Sequence, residues 1–293
     1  MSILNVVSDN AKIPETPRLR EVPMFVCPDC KGKLDDLKCS SCDRHFGRKD
    51  GFPVLLSQEP HLKSAGEIGN TYDDIYTNRS GVWEDQGRTP EFIAYFSKLV
   101  ANFSSDRYLE VGCGEGFLLS AIGAKQKAAI DLSSQALKIA SSRAQAEFSV
   151  ALAERLPFAS DTFDLIASVG VMEHFLNDRD ATTEILRVLK PGGHYVALIH
   201  VDTTFSERFQ QKFHEYIYPH PHFGALIKYI SSKIIKPISQ PIQRRYTLRS
   251  GQSCLEESGF VVRETISTRT HKDVPLVGPH VVIYVGEKLQ QQR

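Results

Sequence analysis

The chain has 293 residues, 41% of them hydrophobic and 24% charged, and its 35 Lys and Arg balance 35 Asp and Glu to a formal net charge of zero. That length holds one full α/β domain and a small module, and the composition is that of a globular protein rather than a disordered or fibrous one. No apolar run approaches the roughly 20 residues needed to cross a bilayer, and the first twenty residues lack the basic start and apolar core of a signal peptide, which points to a cytoplasmic protein.

Residues 1–22 are polar and uncapped, and read as a flexible N-terminus. Cys27-Pro-Asp-Cys30 and Cys39-Ser-Ser-Cys42 follow, two C-x2-C turns separated by eight residues. Four thiolates presented this way suit tetrahedral zinc. Two disulfides or redox thiols are the alternatives, but the other cysteines, Cys113 and Cys254, are isolated and nothing else suggests an oxidising compartment. His45 could replace Cys42 as a ligand, though the matched turns favour four cysteines and leave His45 at the surface. A closed shell of four thiolates would make the metal structural.

Residues 59–103 read as linker helices. Tyr72, Tyr76 and Trp83 fall in the first, and residues 89–100 carry Pro and Glu in the first turn of the second, with apolar residues at helical spacing. The run Tyr-Leu-Glu-Val-Gly-Cys-Gly-Glu-Gly-Phe-Leu-Leu over 108–119 then predicts a short buried strand, a glycine turn able to approach a ligand closely, and a helix whose first amides face that ligand. Residues 128–131 predict a second strand ending in Asp131, 21 residues after Glu110. Its carboxylate could accept ribose hydroxyls or cap a helix over 133–145.

A fourth strand is expected over 163–169. Leu186 to Lys190 should close a helix, with Pro-Gly-Gly breaking it before a fifth strand. About fifty residues intervene before a last helix near 250–259 and strands near 260–267 and 279–286. Within them Phe205, Phe209, Phe213 and Tyr216 share one helical face, Pro219 and Pro221 break that helix, and Lys228, Lys233 and Lys236 lie on the next. Residues 205–250 hold eight Lys or Arg against two Glu. They read as a solvated helical cap, or as an apolar, basic cap suited to a hydrophobic or anionic substrate or to peripheral membrane contact.

Residues 104–200 resemble the core of class I S-adenosylmethionine-dependent methyltransferases, whose signature pairs E-x-G-x-G-x-G with L-P-F-x-x-x-x-F-D and L-K-P-G-G; all three stand here, at 110–116, 156–164 and 189–193. The resemblance implies a Rossmann-like, seven-stranded, mostly parallel sheet with helices on both faces, spanning 104–290, with the cap as an insertion. It also implies S-adenosylmethionine as cofactor. Glu110, Gly112 and Gly114 would line its methionine end, Asp131 its ribose and Leu132 its adenine. Ala153 would offer backbone to the adenine edge, Ser168 would lie beside the methionine amino group, and Tyr72 would cover the site. The family often places an Asp where this chain has Leu152. Residues 23–58 resemble the zinc ribbon of Trm112-like proteins and the one that begins bacterial 23S rRNA guanine-N1 methyltransferases.

Candidate bases are His174 and His200, which follow strands four and five, with Asp202, His220 and His222 behind them. Three functions compete: methylation of a small or lipid-like metabolite, methylation of rRNA gripped by the ribbon, and a non-catalytic partner-docking role. Nucleic-acid affinity requires clustered cations, yet residues 1–60 hold nine basic and nine acidic side chains. After strand four Ser168-Val-Gly-Val171 replaces the N-P-P-F/Y pattern of exocyclic-amine methylation. Both observations favour a metabolite.

Overall fold

The computed structural model describes residues 24–78, 90–103, 105–201, 241–267 and 281–290. Two short hairpins open it, β1 (Leu34–Asp35) with β2 (Lys38–Cys39) and β3 (Arg48–Lys49) with β4 (Phe52–Pro53). Each turns through two residues of positive φ, Asp36 with Leu37 and Asp50 with Gly51, the geometry that matches the twist of a tight hairpin. The cysteine module is built onto the larger domain. Leu55 donates its amide to the Val150 carbonyl at 2.8 Å, Phe25 packs on Phe158 with centroids 5.4 Å apart, and Phe52 meets Phe148 edge-on.

Helices α1 (Ala65–Asn78) and α2 (Pro90–Ala101) lead into a seven-stranded sheet. Its members are β5 (Arg107–Val111), β6 (Gln126–Asp131), β7 (Glu147–Val150), β8 (Phe163–Val169), β9 (Leu189–His200), β10 (Val261–Ser267) and β11 (Val281–Glu287), in the spatial order β10-β11-β9-β8-β5-β6-β7. Only β11 runs antiparallel to its neighbours. The inner strands are almost continuously apolar, as a sheet covered on both faces requires.

Helices α3 (Phe117–Ala121) and α4 (Ser134–Arg143) join α2 on one face, burying Phe92, Phe96, Leu118, Leu119, Leu137 and Ala140. Helices α5 (Asp178–Val188) and α6 (Leu248–Glu257) cover the other, with Ala181, Ile185, Val188 and Leu255. The chain builds β5, β6 and β7 toward one edge and then returns to place β8 on the other side of β5. Open α/β sheets bind ligands at this reversal, beyond the carboxyl ends of the strands.

Three boundaries differ from expectation. Helix α5 ends at Val188 rather than Lys190, because Leu189 already pairs with Phe163 and the Pro-Gly-Gly segment belongs to β9, with the Gly192 amide bonded to the Lys288 carbonyl. Helix α4 is two residues shorter at its C-terminus, where Ala144 is extended. The last helix begins at Leu248, capped by a reciprocal Thr247–Ser250 pair, and Tyr246 is buried against the core. Residues 246–250 therefore belong to the domain rather than to the expected cap. The cap residues 205–240, including Phe205, Phe209, Phe213, Tyr216, Lys228, Lys233 and Lys236, lie outside the described residues, as do Trp83, Asp202, His220, His222 and residues 1–22.

One polar cluster fastens module, α1 and α4 together. Asp73 of α1 accepts from the Ser133 hydroxyl at 2.6 Å and the Gln135 amide at 3.1 Å, and it pairs with Lys49 at 2.6 Å. Asp50 accepts from the Ser134 hydroxyl at 2.6 Å and from Gln135 Nε2 at 2.9 Å. Two carboxylates thus meet the positive end of α4. Burial pushes the Asp73 carboxyl up, but the Lys49 ammonium, the Ser133 hydroxyl and the Gln135 amide together hold it below the usual carboxylate range. A depressed folded value means that the ionised group stabilises the fold fully above its unfolded value and loses that contribution as pH falls through the folded one. Asp73→Asn should therefore cost about 1–3 kcal/mol at pH 7, and the gap from wild type should close toward pH 3. Urea unfolding across that range measures it; a gap that widens on acidification would contradict the assignment.

Candidate functional site

Strand β5 delivers Glu110 buried, accepting at 3.3 Å from the Tyr108 hydroxyl. Burial and the neighbouring Glu110 charge keep that hydroxyl protonated. The backbone then turns at Gly112, φ +66°. A Cβ there would stand 2.6 Å from Val171, so the turn after β5 and the segment after β8 touch through a site that admits no side chain. The cleft beside it is lined by Phe92, Phe96, Glu110, Gly112, Phe117 and Val169, with α2 as its wall.

At the end of β6, Asp131 is half-buried and accepts from the Gly114 amide and the Ser133 amide, each at 2.9 Å. It does not cap α4; Ser133 does, accepting from the Ala136 amide. A carboxylate oxygen can accept more than one hydrogen bond. Helix α1 crosses directly above, close enough that a Cβ on Gly69 would lie 2.8 Å from the Leu132 carbonyl. Tyr72 of the same helix is half-buried; burial, and then the Asp131 charge, push its hydroxyl well above the ordinary tyrosine range.

Leu152 is buried with Leu62 and Ala65 in a small apolar cluster to which Leu132 also packs. The adenine rim expected there is hydrocarbon, with Ala153 starting a tight turn beside it. Ser168 lies near the end of β8. It bonds the Tyr195 hydroxyl at 2.7 Å, fully buried. By strand alternation it shares a face with Ile166, whose cluster is that of α5 and α6, while Glu110 shares the face of Tyr108 and α2. Only the Ser168 main chain remains for a ligand at the glycine turn.

The two expected bases separate. His174 follows β8 in a short 3-10 turn and donates Nδ1–H to the Ile242 carbonyl at 2.5 Å, so it pins the returning chain. His200, half-exposed at the end of β9, places Nδ1 2.8 Å from Glu173 Oε1. Sequence reasoning missed both Glu173 and Asp73. The signal for Glu173, an acid directly before a histidine in Met-Glu-His after strand four, was present in the chain.

In the module, the sulfurs of Cys27, Cys30, Cys39 and Cys42 all lie within 4.8 Å of one another, with Cys27 and Cys42 3.8 Å apart and Cys30 and Cys39 3.3 Å apart. Zn–S bonds of about 2.3 Å set tetrahedral sulfurs about 3.8 Å apart, so the four fit one zinc ion. All six cysteines are free thiols, and His45 is exposed and outside the cluster.

Residues 109–197 match the methyltransferase domain family. Over 100 residues the chain is 33% identical to the phthiotriol/phenolphthiotriol dimycocerosates methyltransferase of Mycobacterium leprae, covering 32% of this chain and 37% of that protein. It is 32% identical over 114 residues to a ubiquinone biosynthesis O-methyltransferase of Parvibaculum lavamentivorans, covering 36% and 45%. The chain thus spans less than half the length of these curated relatives. The complex between the Haloferax volcanii Trm112 methyltransferase activator and a methyltransferase contains a chain of the same fold, at TM-score 0.55 and 17% identity, covering 77% of this chain and 99% of that one. The glycine turn and strands β6, β7 and β8 fall within the segment that matches the methyltransferase domain, residues 109–197. The four-cysteine module precedes that segment.

Purified protein is expected to contain one zinc per chain. Cys27→Ser and Cys42→Ser should lose it and destabilise the module, while Cys113→Ser and Cys254→Ser retain it. Elemental analysis decides, and zinc that depends on Cys113 would refute the site.

Proposed function

We propose that the protein is an S-adenosylmethionine-dependent methyltransferase acting on a small, lipid-like acceptor, with a structural zinc ion in its ribbon. One observation carries the reading: Asp131 and the Gly112–Gly114 turn are joined by a hydrogen bond at the reversal of the sheet, under α1 and beside α2. The proposed cofactor fits this cradle. Its ribose would lie against Asp131, its adenine against Leu132 and the main chain of Ala153, and its methionine end along Glu110, Gly112 and the main chain of Ser168. Tyr72 would close the ribose side. When bound, the cofactor supplies an electrophilic methyl group on a sulfonium, which is its own leaving group. The protein contributes alignment, exclusion of water by α1 and α2, and a place for any proton the acceptor releases.

The lipid-like acceptor class is supported by the similarity to a phthiotriol/phenolphthiotriol dimycocerosates methyltransferase, a ubiquinone biosynthesis O-methyltransferase and a demethylmenaquinone methyltransferase. No described helix is long and apolar enough to cross a membrane. The rRNA reading draws less support. Lys31, Lys38, Arg44 and Lys49 of the ribbon are engaged with Glu184, Asp43, Asp29 and Asp73, so few cations remain for phosphates.

Calorimetric titration with S-adenosylhomocysteine tests the cofactor assignment. Asp131→Ala removes the ribose acceptor and frees the glycine turn, and should weaken binding by about tenfold or more, the worth of one to two charge-assisted hydrogen bonds. Gly112→Val adds a side chain where Val171 stands and should abolish binding. Equal affinity in wild type and both variants would remove the basis of the proposal.

A further inference from the structure

Glu173 is 3% exposed, and its carboxylate is not balanced by any lysine or arginine among the described residues. Its Oε1 accepts from the His200 main-chain amide at 2.5 Å and faces His200 Nδ1 at 2.8 Å. Its Oε2 is buried with no hydrogen-bond partner among the described residues. A buried carboxylate without a cation costs several kcal/mol, and an ordinary strand-end contact to one amide would be met as well by a neutral side chain.

The surroundings are arranged around this pair. Gly170 holds φ +63°, and a Cβ there would lie 3.2 Å from His200 Cε1, so the imidazole edge stands where any other residue would crowd it. The next residue, Val171, lies on Gly112. The segment after β8 therefore touches the glycine turn on one side and His200 on the other. The turn that carries Glu173 is braced from behind by the returning chain: the Arg244 amide donates to the Glu173 carbonyl at 2.7 Å, and the Arg244 side chain bonds the Phe175 and Leu176 carbonyls.

We infer that Glu173 is a positioning residue that holds His200 with Nδ1–H directed at its carboxylate and Nε2 bare toward the acceptor, and that the acceptor group is a weakly acidic hydroxyl such as a phenol or enol. The second half rests on the methyltransferase reading above. A hydroxyl oxygen is a poor nucleophile until its proton leaves, whereas a neutral amine presents its lone pair with the protons still in place. A base whose developing positive charge is met by a buried carboxylate suits the first case. The hydroxyl proton passes to His200 Nε2 as the oxygen–carbon bond forms, the carbon–sulfur pair stays on sulfur as a thioether, and the imidazolium then gives its proton to solvent. His174 lacks such a carboxylate, since its Nδ1 faces the neutral Ile242 carbonyl.

The test begins without an acceptor. Long-range proton–nitrogen NMR of the full chain with S-adenosylhomocysteine, at alkaline pH, should show His200 with a pyrrole-type Nδ1 and a pyridine-type Nε2. In Glu173→Gln the neutral amide can offer either its oxygen or its NH2, so the second tautomer should appear. A wild-type His200 protonated on Nε2, or a tautomer unchanged in the variant, would overturn the positioning role. Calorimetry on the same samples separates the two claims, because loss of S-adenosylhomocysteine binding in wild type would sink the methyltransferase reading instead. With a graded series of substituted phenols and S-adenosylmethionine, His200→Gln should lower kcat by about 10²–10³-fold. Glu173→Gln should lower it less, both with little change in KM, and the losses should shrink for phenols already ionised at the assay pH. Turnover of amines alone, or of no phenol, would overturn the acceptor class.

Discussion

The hydrogen bond from the Gly114 amide to Asp131 is the contact on which the site depends. At 2.9 Å it joins the turn after β5 to the end of β6, and the second oxygen of the same carboxylate holds the Ser133 amide ahead of α4. Two loops that are free to diverge at the carboxyl edge of a parallel sheet are thereby set in one geometry. Carboxylate bonds to main-chain amides are among the stronger hydrogen bonds a protein makes. A carboxylate oxygen can accept more than one hydrogen bond, so the group that shapes the cradle is also the proposed ribose acceptor.

The ribbon takes part in this arrangement. Its outgoing strand extends the sheet beside β7 through the Leu55 amide, covering an edge that would otherwise present unpaired backbone groups. Its second hairpin brings Lys49 and Asp50 to Asp73 and to the first turn of α4, immediately after Asp131. The four cysteines organise the hairpins, the hairpins meet α1 and α4, and those helices border the proposed cofactor site. Packed, hydrogen-bonded neighbours thus connect the four-cysteine cluster to the proposed ligand site.

What was legible in the chain was local. The glycine turn, Asp131 at the tip of a strand and the paired C-x2-C knuckles each occupy a few consecutive residues whose chemistry follows from spacing, and the seven-stranded sheet was implied by the resemblance that those motifs carry. The partners that complete the site were not legible, because they meet across long stretches of chain. Asp73 reaches Ser133 from 60 residues away and Glu173 reaches His200 from 27. Nothing in the local sequence reports such encounters. Ser168 shows a second limit: alternation along β8 divides its residues between two faces but does not say which face looks toward a ligand. The helix boundaries near 189 and 248 shifted for a similar reason, because sheet pairing at Leu189 outweighed the Pro-Gly-Gly punctuation and a Thr247–Ser250 cap starts the last helix at Leu248.

A crystal structure of the chain with S-adenosylhomocysteine tests the central claim most directly. The account predicts both ribose hydroxyls on Asp131, the adenine between Leu132 and the Ala153 main chain beneath α1, and the amino acid end beside Gly112 and Glu110. Ligand density away from the ends of β5 and β6, with Asp131 making no contact to it, would contradict it.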